Sequence, residues 1–235
     1  MERIFDHGFH GFHGWVSGKE CFHPWFLLRP ICGISQRSQD VGERWQDSED
    51  CAASRLRYAR DRMNDDWKNE FRNVWDRGIA AWKAGRRSAE TMFSAADASF
   101  LTGIGCTAQE LFDFVDDSLG YDDLDFETAL AVTAIRRSYF LDVMHGKPTG
   151  RVVPMSALPA KSAEVDAIAW LPRLIAKARI KLRGEMNPDL MYGCAGDRPF
   201  LRSHHMTLPQ FLQLVWDKGD DDRAIVDAVK RSAGR

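Results

Sequence analysis

From Met63 onward the apolar positions recur at helical spacing. Trp67, Phe71, Val74, Trp75, Ile79 and Trp82 fall on one side of a 3.6-residue repeat, and Gly85 follows as a stop signal. Ser88 to Asp97 predicts a short second helix. Leu111, Phe112, Phe114, Val115 and Leu119 then stand at i, i+1, i+3, i+4 and i+8, a wide apolar stripe that must be buried. Thr107-Ala108-Gln109-Glu110 precedes them and reads as a capping box. Phe126 to Met144 predicts a long helix with Leu130, Ala134, Ile135 and Leu141 inward, stopped by Gly146 and Pro148. A short helix is expected near Ala163 to Trp170, and Leu171-Pro172 opens the next one, where proline suits the first turn. Almost no stretch alternates as a half-buried strand does. The expected class is all-α.

The pattern also repeats. Phe100-Leu101 recurs as Phe200-Leu201, and the register holds through Thr107/Thr207, Leu111/Phe211, Phe112/Leu212, Phe114/Leu214, Val115/Val215 and Asp117/Asp217. The second copy writes its capping box as Thr207-Leu208-Pro209-Gln210. Upstream, Arg77-Gly78-Ile79-Ala80 matches Arg173-Leu174-Ile175-Ala176, and downstream Val132 to Arg137 matches Val226 to Arg231. This order implies two tandem, pseudo-symmetric helical units, an internal duplication packed on a shared core. The units span 63–146 and 168–235, joined by a proline-containing linker and short helix over 147–167. Residues 1–62 lack sustained periodicity and read as a poorly ordered extension, or as sequence upstream of a true start at Met63.

In the second unit, Leu171-Pro172-Arg173, Lys177-Ala178-Arg179 and Gly184 stand together and in order. On these residues, about 168–231 resembles a bacterial family known only as domain of unknown function 5069. Many relatives carry an acid just before the lysine, where this chain has Ala176. The resemblance implies a helical fold and brings no activity, so no active-site residue carries over.

Composition adds bounds. The 235 residues are 44% hydrophobic and 28% charged, enough for one good core. A formal charge of −2 argues against a polyanionic partner such as nucleic acid. Every apolar run is shorter than the roughly 18 residues of a membrane span, and no signal-peptide pattern opens the chain, so a cytoplasmic protein is expected. Five cysteines without framework spacing read as reduced thiols. No motif calls for a cofactor. His7, His10, His13, Cys21, His23 and Cys32 lack the paired spacing of a zinc site, so no metal is expected. Gly146 to Gly150 lacks the spacing of a phosphate loop. Asp220-Asp221-Asp222 lacks the pattern of a calcium loop and reads as a helix start.

Two candidate sites remain, each beside a plainer alternative. The helix from Leu171 carries Arg173, Lys177, Arg179, Lys181 and Arg183 without an acid. Arg173 and Lys177 are i,i+4 neighbours of like charge, a pairing relieved by an anion between them. With Arg198 they form a candidate ligand-binding set for a carboxylate or phosphate, or for a protein partner. The plainer readings are a solvated face, or pairing with the acidic tract Asp113, Asp116, Asp117, Asp122, Asp123, Asp125 and Glu127. Such pairing would orient the repeats or the subunits of a homo-oligomer. The second candidate is Gly193-Cys194-Ala195-Gly196-Asp197, with Cys194 as nucleophile, His204 or His205 as base and Asp197 as orienter; its alternative is a tight turn around a structural thiol. Function is therefore expected to be non-enzymatic binding between the units, with a Cys194 enzyme as the alternative.

Overall fold

The computed structural model describes residues 66–120 and 124–234. The histidine- and cysteine-bearing segment before them, with the expected extension and the start at Met63, lies outside the described residues, as do Asp122 and Asp123. Among the described residues the chain is helical: α1 (66–83), α2 (Ala89–Met92), α3 (Ala95–Gly103), α4 (Ala108–Gly120), α5 (Phe126–Asp142), α6 (Leu171–Arg183), α7 (Asp197–Ser203), α8 (Leu208–Lys218) and α9 (Asp222–Ala233). The all-α class holds. No described helix is long and apolar enough to cross a membrane.

Both expected capping boxes form. The Thr107 amide donates to Glu110 Oε2 at 2.8 Å and the Glu110 amide to Thr107 Oγ1 at 3.1 Å. At α8 the Thr207 amide donates to Gln210 Oε1 at 2.9 Å. The stripes they launch are buried at Leu111, Phe114, Val115, Phe211, Leu212 and Val215. Asp221 caps α9 through the Ala224 amide, so the aspartate run starts a helix as expected. Buried residues drawn from Trp67 to Val229 form the main apolar core, in which α5, α6 and α8 pack on one another, and Leu158, Ile180 and Leu190 form a smaller second cluster.

Three local expectations are corrected. The helix expected near Ala163 to Trp170 is a small antiparallel hairpin, β1 (Glu164–Val165) with β2 (Ile168–Ala169). Asp166 and Ala167 turn it with φ of 49° and 63°, the left-handed pair that a tight hairpin requires. Ser88 to Asp97 is two helices, because Ser88 and Ser94 each cap a separate start and Asp97 closes a box on Ser94. On α5 the innermost face is Phe126, Ala129, Val132, Thr133, Arg136 and Phe140. Leu130, Ala134 and Ile135 pack on its margin, and Leu141 is 39% exposed. Apolar residues on several sides of α5 leave its periodicity without one dominant face.

The α3–α4 and α7–α8 connections share one geometry. Cys106 and Met206 each donate their amide to the carbonyl of Leu101 and Leu201, at 2.9 Å in both. Gly105 and His205 hold the left-handed positions, with φ of 77° and 52°. Gly105 is also tight, since a Cβ there would stand 2.8 Å from Phe140 side-chain carbons. Gly105→Ala should therefore cost roughly 1–3 kcal/mol in urea unfolding, from strain and overpacking together. His205→Gly, which relieves the left-handed geometry, should cost far less.

Candidate functional site

The geometry centres on α6. Leu171, Leu174, Ile175, Ala178 and Leu182 bury its apolar face. Lys177 and Lys181 lie beside that face, one turn apart, and are buried with it. Each is 2% exposed, and their partners Asp197 and Glu110 are 0% and 8% exposed. A charge removed from water is tolerated only when paired and hydrogen-bonded.

Lys181 Nζ donates to Glu110 Oε1 at 2.7 Å and lies 5.3 Å from the Phe114 ring centre. The same carboxylate caps α4 with its other oxygen, so both oxygens are used. Burial pushes the Glu110 carboxyl up, but the charge and hydrogen bond of Lys181 and the Thr107 amide outweigh it and hold it below the usual value. One turn on, Asp113 is pushed up to about 6 by burial, against the opposing effects of its Gln109 hydrogen bond and Lys181. Glu110, Asp113, Lys181 and Tyr192 border a space of about 10 Å³, the size of a single water. Cys106 is pushed up to about 12 by burial and then by Glu110. Burial likewise lowers the Arg136 guanidinium, against the pull of Glu110.

Lys177 reaches the loop before α7. Its Nζ donates to Asp197 Oδ2 and stands 3.3 Å from Cys194 Sγ. Asp197 Oδ2 also accepts from the Gly193 amide at 2.9 Å, and Oδ1 from Trp170 Nε1 at 3.0 Å. The loop must be glycine-rich to sit so close. Gly193 has φ of 91°, and a Cβ on Gly196 would fall 2.6 Å from the Trp170 ring. Arg198 donates to the Gly193 carbonyl at 2.6 Å and to Asp117 of α4.

The outer face of α6 differs. Arg173 donates to the Pro159 carbonyl at 2.7 Å. Arg179 donates twice to the Gly219 carbonyl, at 2.7 and 3.1 Å, and pairs with Asp222 at 2.6 Å. A cleft of about 240 Å³ opens here, lined by Pro159, Val165, Pro172, Ile175, Ala176 and Val226 together with Arg179 and Asp222.

The four basic residues singled out from sequence thus do not converge. Lys177 and Arg198 point inward to carboxylates, and Arg173 and Arg179 lie on the outer face. Acidic residues of α4 do meet basic residues of the second half, through Glu110 with Lys181 and Asp117 with Arg198. Cys194 and Asp197 come together, but around Lys177. His204 is the C-terminal cap of α7, about 10 Å of helix rise from Asp197. Its Nδ1 lies 2.8 Å from the Phe200 carbonyl and its ring packs on Phe200 at 4.3 Å. The His205 carbonyl accepts from Ser232 Oγ at 3.4 Å. Sequence reasoning missed Glu110 as an ion partner and Trp170 as a donor. Leu174, Lys177, Ala178, Lys181 and Leu182 are spaced i, i+3, i+4, i+7 and i+8, and that spacing was the available signal for two lysines in the core. Among the described residues no group of three His, Cys, Asp or Glu side chains is placed to hold a metal.

Lys181→Met leaves Glu110 charged and buried, so it should destabilise the fold by about 3–5 kcal/mol in urea unfolding, and adding Glu110→Gln should recover part of the loss. Asp113 gives a pH signature. Its proton is held more tightly folded than unfolded, so its contribution is full below the ordinary value of 3.8 and is lost as pH rises through about 6. Asp113→Asn should raise stability at pH 8 by about 1–2 kcal/mol and flatten the melting profile between those values.

Comparison with protein-family models, with curated proteins and with solved structures gives no match.

Proposed function

We propose that this chain is a non-enzymatic helical module that binds a small anionic ligand with an apolar body in the cleft on the outer face of α6. One observation carries the reading: a cleft of about 240 Å³ with mostly apolar walls, lined also by the Arg179 guanidinium and its Asp222 partner. That volume lies just below the roughly 300–1,000 Å³ of drug-sized sites, which suits a short branched or aromatic carboxylate. Arg179 is oriented by its bonds to the Gly219 carbonyl, and its carboxylate partner Asp222 is 65% exposed. A ligand carboxylate competes with Asp222 for the same planar donors. A protein partner presenting an acidic side chain beside an apolar one fits the same chemistry. The Cys194 enzyme with a histidine base has less support, because His204 packs on Phe200 and the polar neighbour of Cys194 is Lys177.

We also infer a cytoplasmic bacterial protein whose halves arose by duplication and whose second half is related to the domain of unknown function 5069 family. The paired capping boxes and the matching α3–α4 and α7–α8 turns support the duplication. The opening of α6 at Leu171-Pro172-Arg173 supports the relationship.

Thermal melts with sodium isovalerate, sodium benzoate and inorganic phosphate test the binding reading. One of the carboxylates should raise the melting temperature by roughly 5–10 °C at a hundredfold excess over Kd. Arg179→Ala and the cleft-filling Ala176→Trp should each abolish that rise while the protein alone still melts cooperatively. No rise with any probe overturns the small-ligand form.

A further inference from the structure

The contact between Lys177 and Cys194 belongs to a part of the fold that the outer cleft does not use. An amine nitrogen and a thiol sulfur stand 3.3 Å apart, and the backbone of each is fixed. Lys177 lies among the buried residues of α6 and is held by Asp197. The Cys194 carbonyl accepts from the Asp197 amide at 2.9 Å and the Arg198 amide at 3.2 Å, and Gly193 turns the chain into it. Lys177 is buried while Cys194 is only half-buried, so of the two residues the cysteine is the one open to a small oxidant. Cys106 is a built-in contrast. It is buried, its thiol is pushed up to about 12, and its Sγ faces the Thr107 carbonyl at 3.5 Å.

We propose that Lys177 and Cys194 form a reversible nitrogen–sulfur cross-link when the protein meets a peroxide. In the first step hydrogen peroxide oxidises the Cys194 thiol by two electrons to a sulfenic acid, and the other peroxide oxygen leaves as water. In the second step the Lys177 ammonium gives one proton to Asp197, and the nitrogen lone pair attacks sulfur. The S–O bond breaks, and the departing oxygen takes a second proton from nitrogen and leaves as water. The product is a sulfenamide joining Nζ to Sγ. Asp197 is the reason the step suits this place. It accepts the proton, so loss of the lysine charge does not strand a buried carboxylate. Its contacts with Trp170 and the Gly193 amide remain for either protonation state to use. Two equivalents of a small thiol reverse the reaction, restoring amine and thiol and forming one disulfide. The site is independent of ligand binding in the outer cleft and stands or falls separately.

The test uses the full chain, reduced, freed of reductant and treated with hydrogen peroxide at low molar excess. Trypsin is then applied without reductant, followed by mass spectrometry. Cleavage after Lys177 should be lost. The segment Leu174–Arg179 should appear joined to Gly184–Arg202, two hydrogen atoms lighter than the sum of the separate peptides apart from any oxygen added at methionine. Dithiothreitol should dissolve the joined species, and Cys194→Ser should never form it. Recovery of Cys194 as a sulfinic acid, as a dimedone-trapped sulfenic acid, in a disulfide or unreacted, with Lys177 still cleaved, overturns the proposal. The decisive readout is on the wild-type chain, so it does not depend on whether a Lys177 variant folds.

Discussion

Two lysines in the core of α6 constrain the rest of this fold. Removing an ammonium group from water costs several kcal/mol, and only a well-placed carboxylate with further hydrogen bonds offsets that. Lys177 and Lys181 are one turn apart, so two carboxylates must arrive at that spacing from elsewhere. Glu110 comes from α4, 71 positions away in sequence, and Asp197 from the start of α7. The helix can enter the core only when both are in place. Such pairs add little net stability over apolar residues of similar size, but a shifted helix would leave a charge unpaired, which sets the register of α6 against α4 and α7.

Three of the carboxylates that meet buried or half-buried cations, Glu110, Asp97 and Asp197, also hold backbone. Glu110 caps α4 with one oxygen and binds Lys181 with the other. Asp97 accepts from Ser94 at its own helix start and from Arg77 of α1, the latter at 2.5 Å. Asp197 takes the Gly193 amide, the Trp170 indole and Lys177. Each therefore ties the end of a helix to a cation on another helix. Helix ends carry unsatisfied amides, so using one acidic group for both tasks keeps buried polar atoms partnered with few residues.

Much of the helical grammar was legible in the sequence because it is local. Thr107 with Glu110, Thr207 with Gln210 and the Asp221 start announce helices within a few residues, and the stripes behind them repeat at the right period. The hairpin at Val165 and Ile168 was not legible in the same way. Its strands are two residues long, too short for alternation to register, and its turn uses Asp166 and Ala167 without a glycine. The candidate site was legible as letters but not as partners. Cys194 and Asp197 sit in an evident turn, whereas the Lys177 that joins them is 17 positions from the cysteine and reads as one more charge on a basic helix. Distance in sequence hid the pairing, although the phase of Lys177 and Lys181 with Leu174, Ala178 and Leu182 carried it.

The two faces of α6 follow from this arrangement. Its inner face is fixed by ion pairs that tolerate little change in size or charge, because any lost partner leaves a buried charge behind. Its outer face, through Arg173, Ala176 and Arg179, meets carbonyls, the hairpin and α9 at the surface. Residues 176 and 177 are adjacent in sequence but about 100° apart around the helix, so Ala176 in the outer cleft and Lys177 in the buried cluster face different ways, while the core residues Ile175 and Val226 back the cleft. A rigid inner face is what lets the outer one hold a guanidinium at a defined place beside an apolar wall. Arg179 is a long side chain with many rotamers, and its two bonds to the Gly219 carbonyl restrict that freedom.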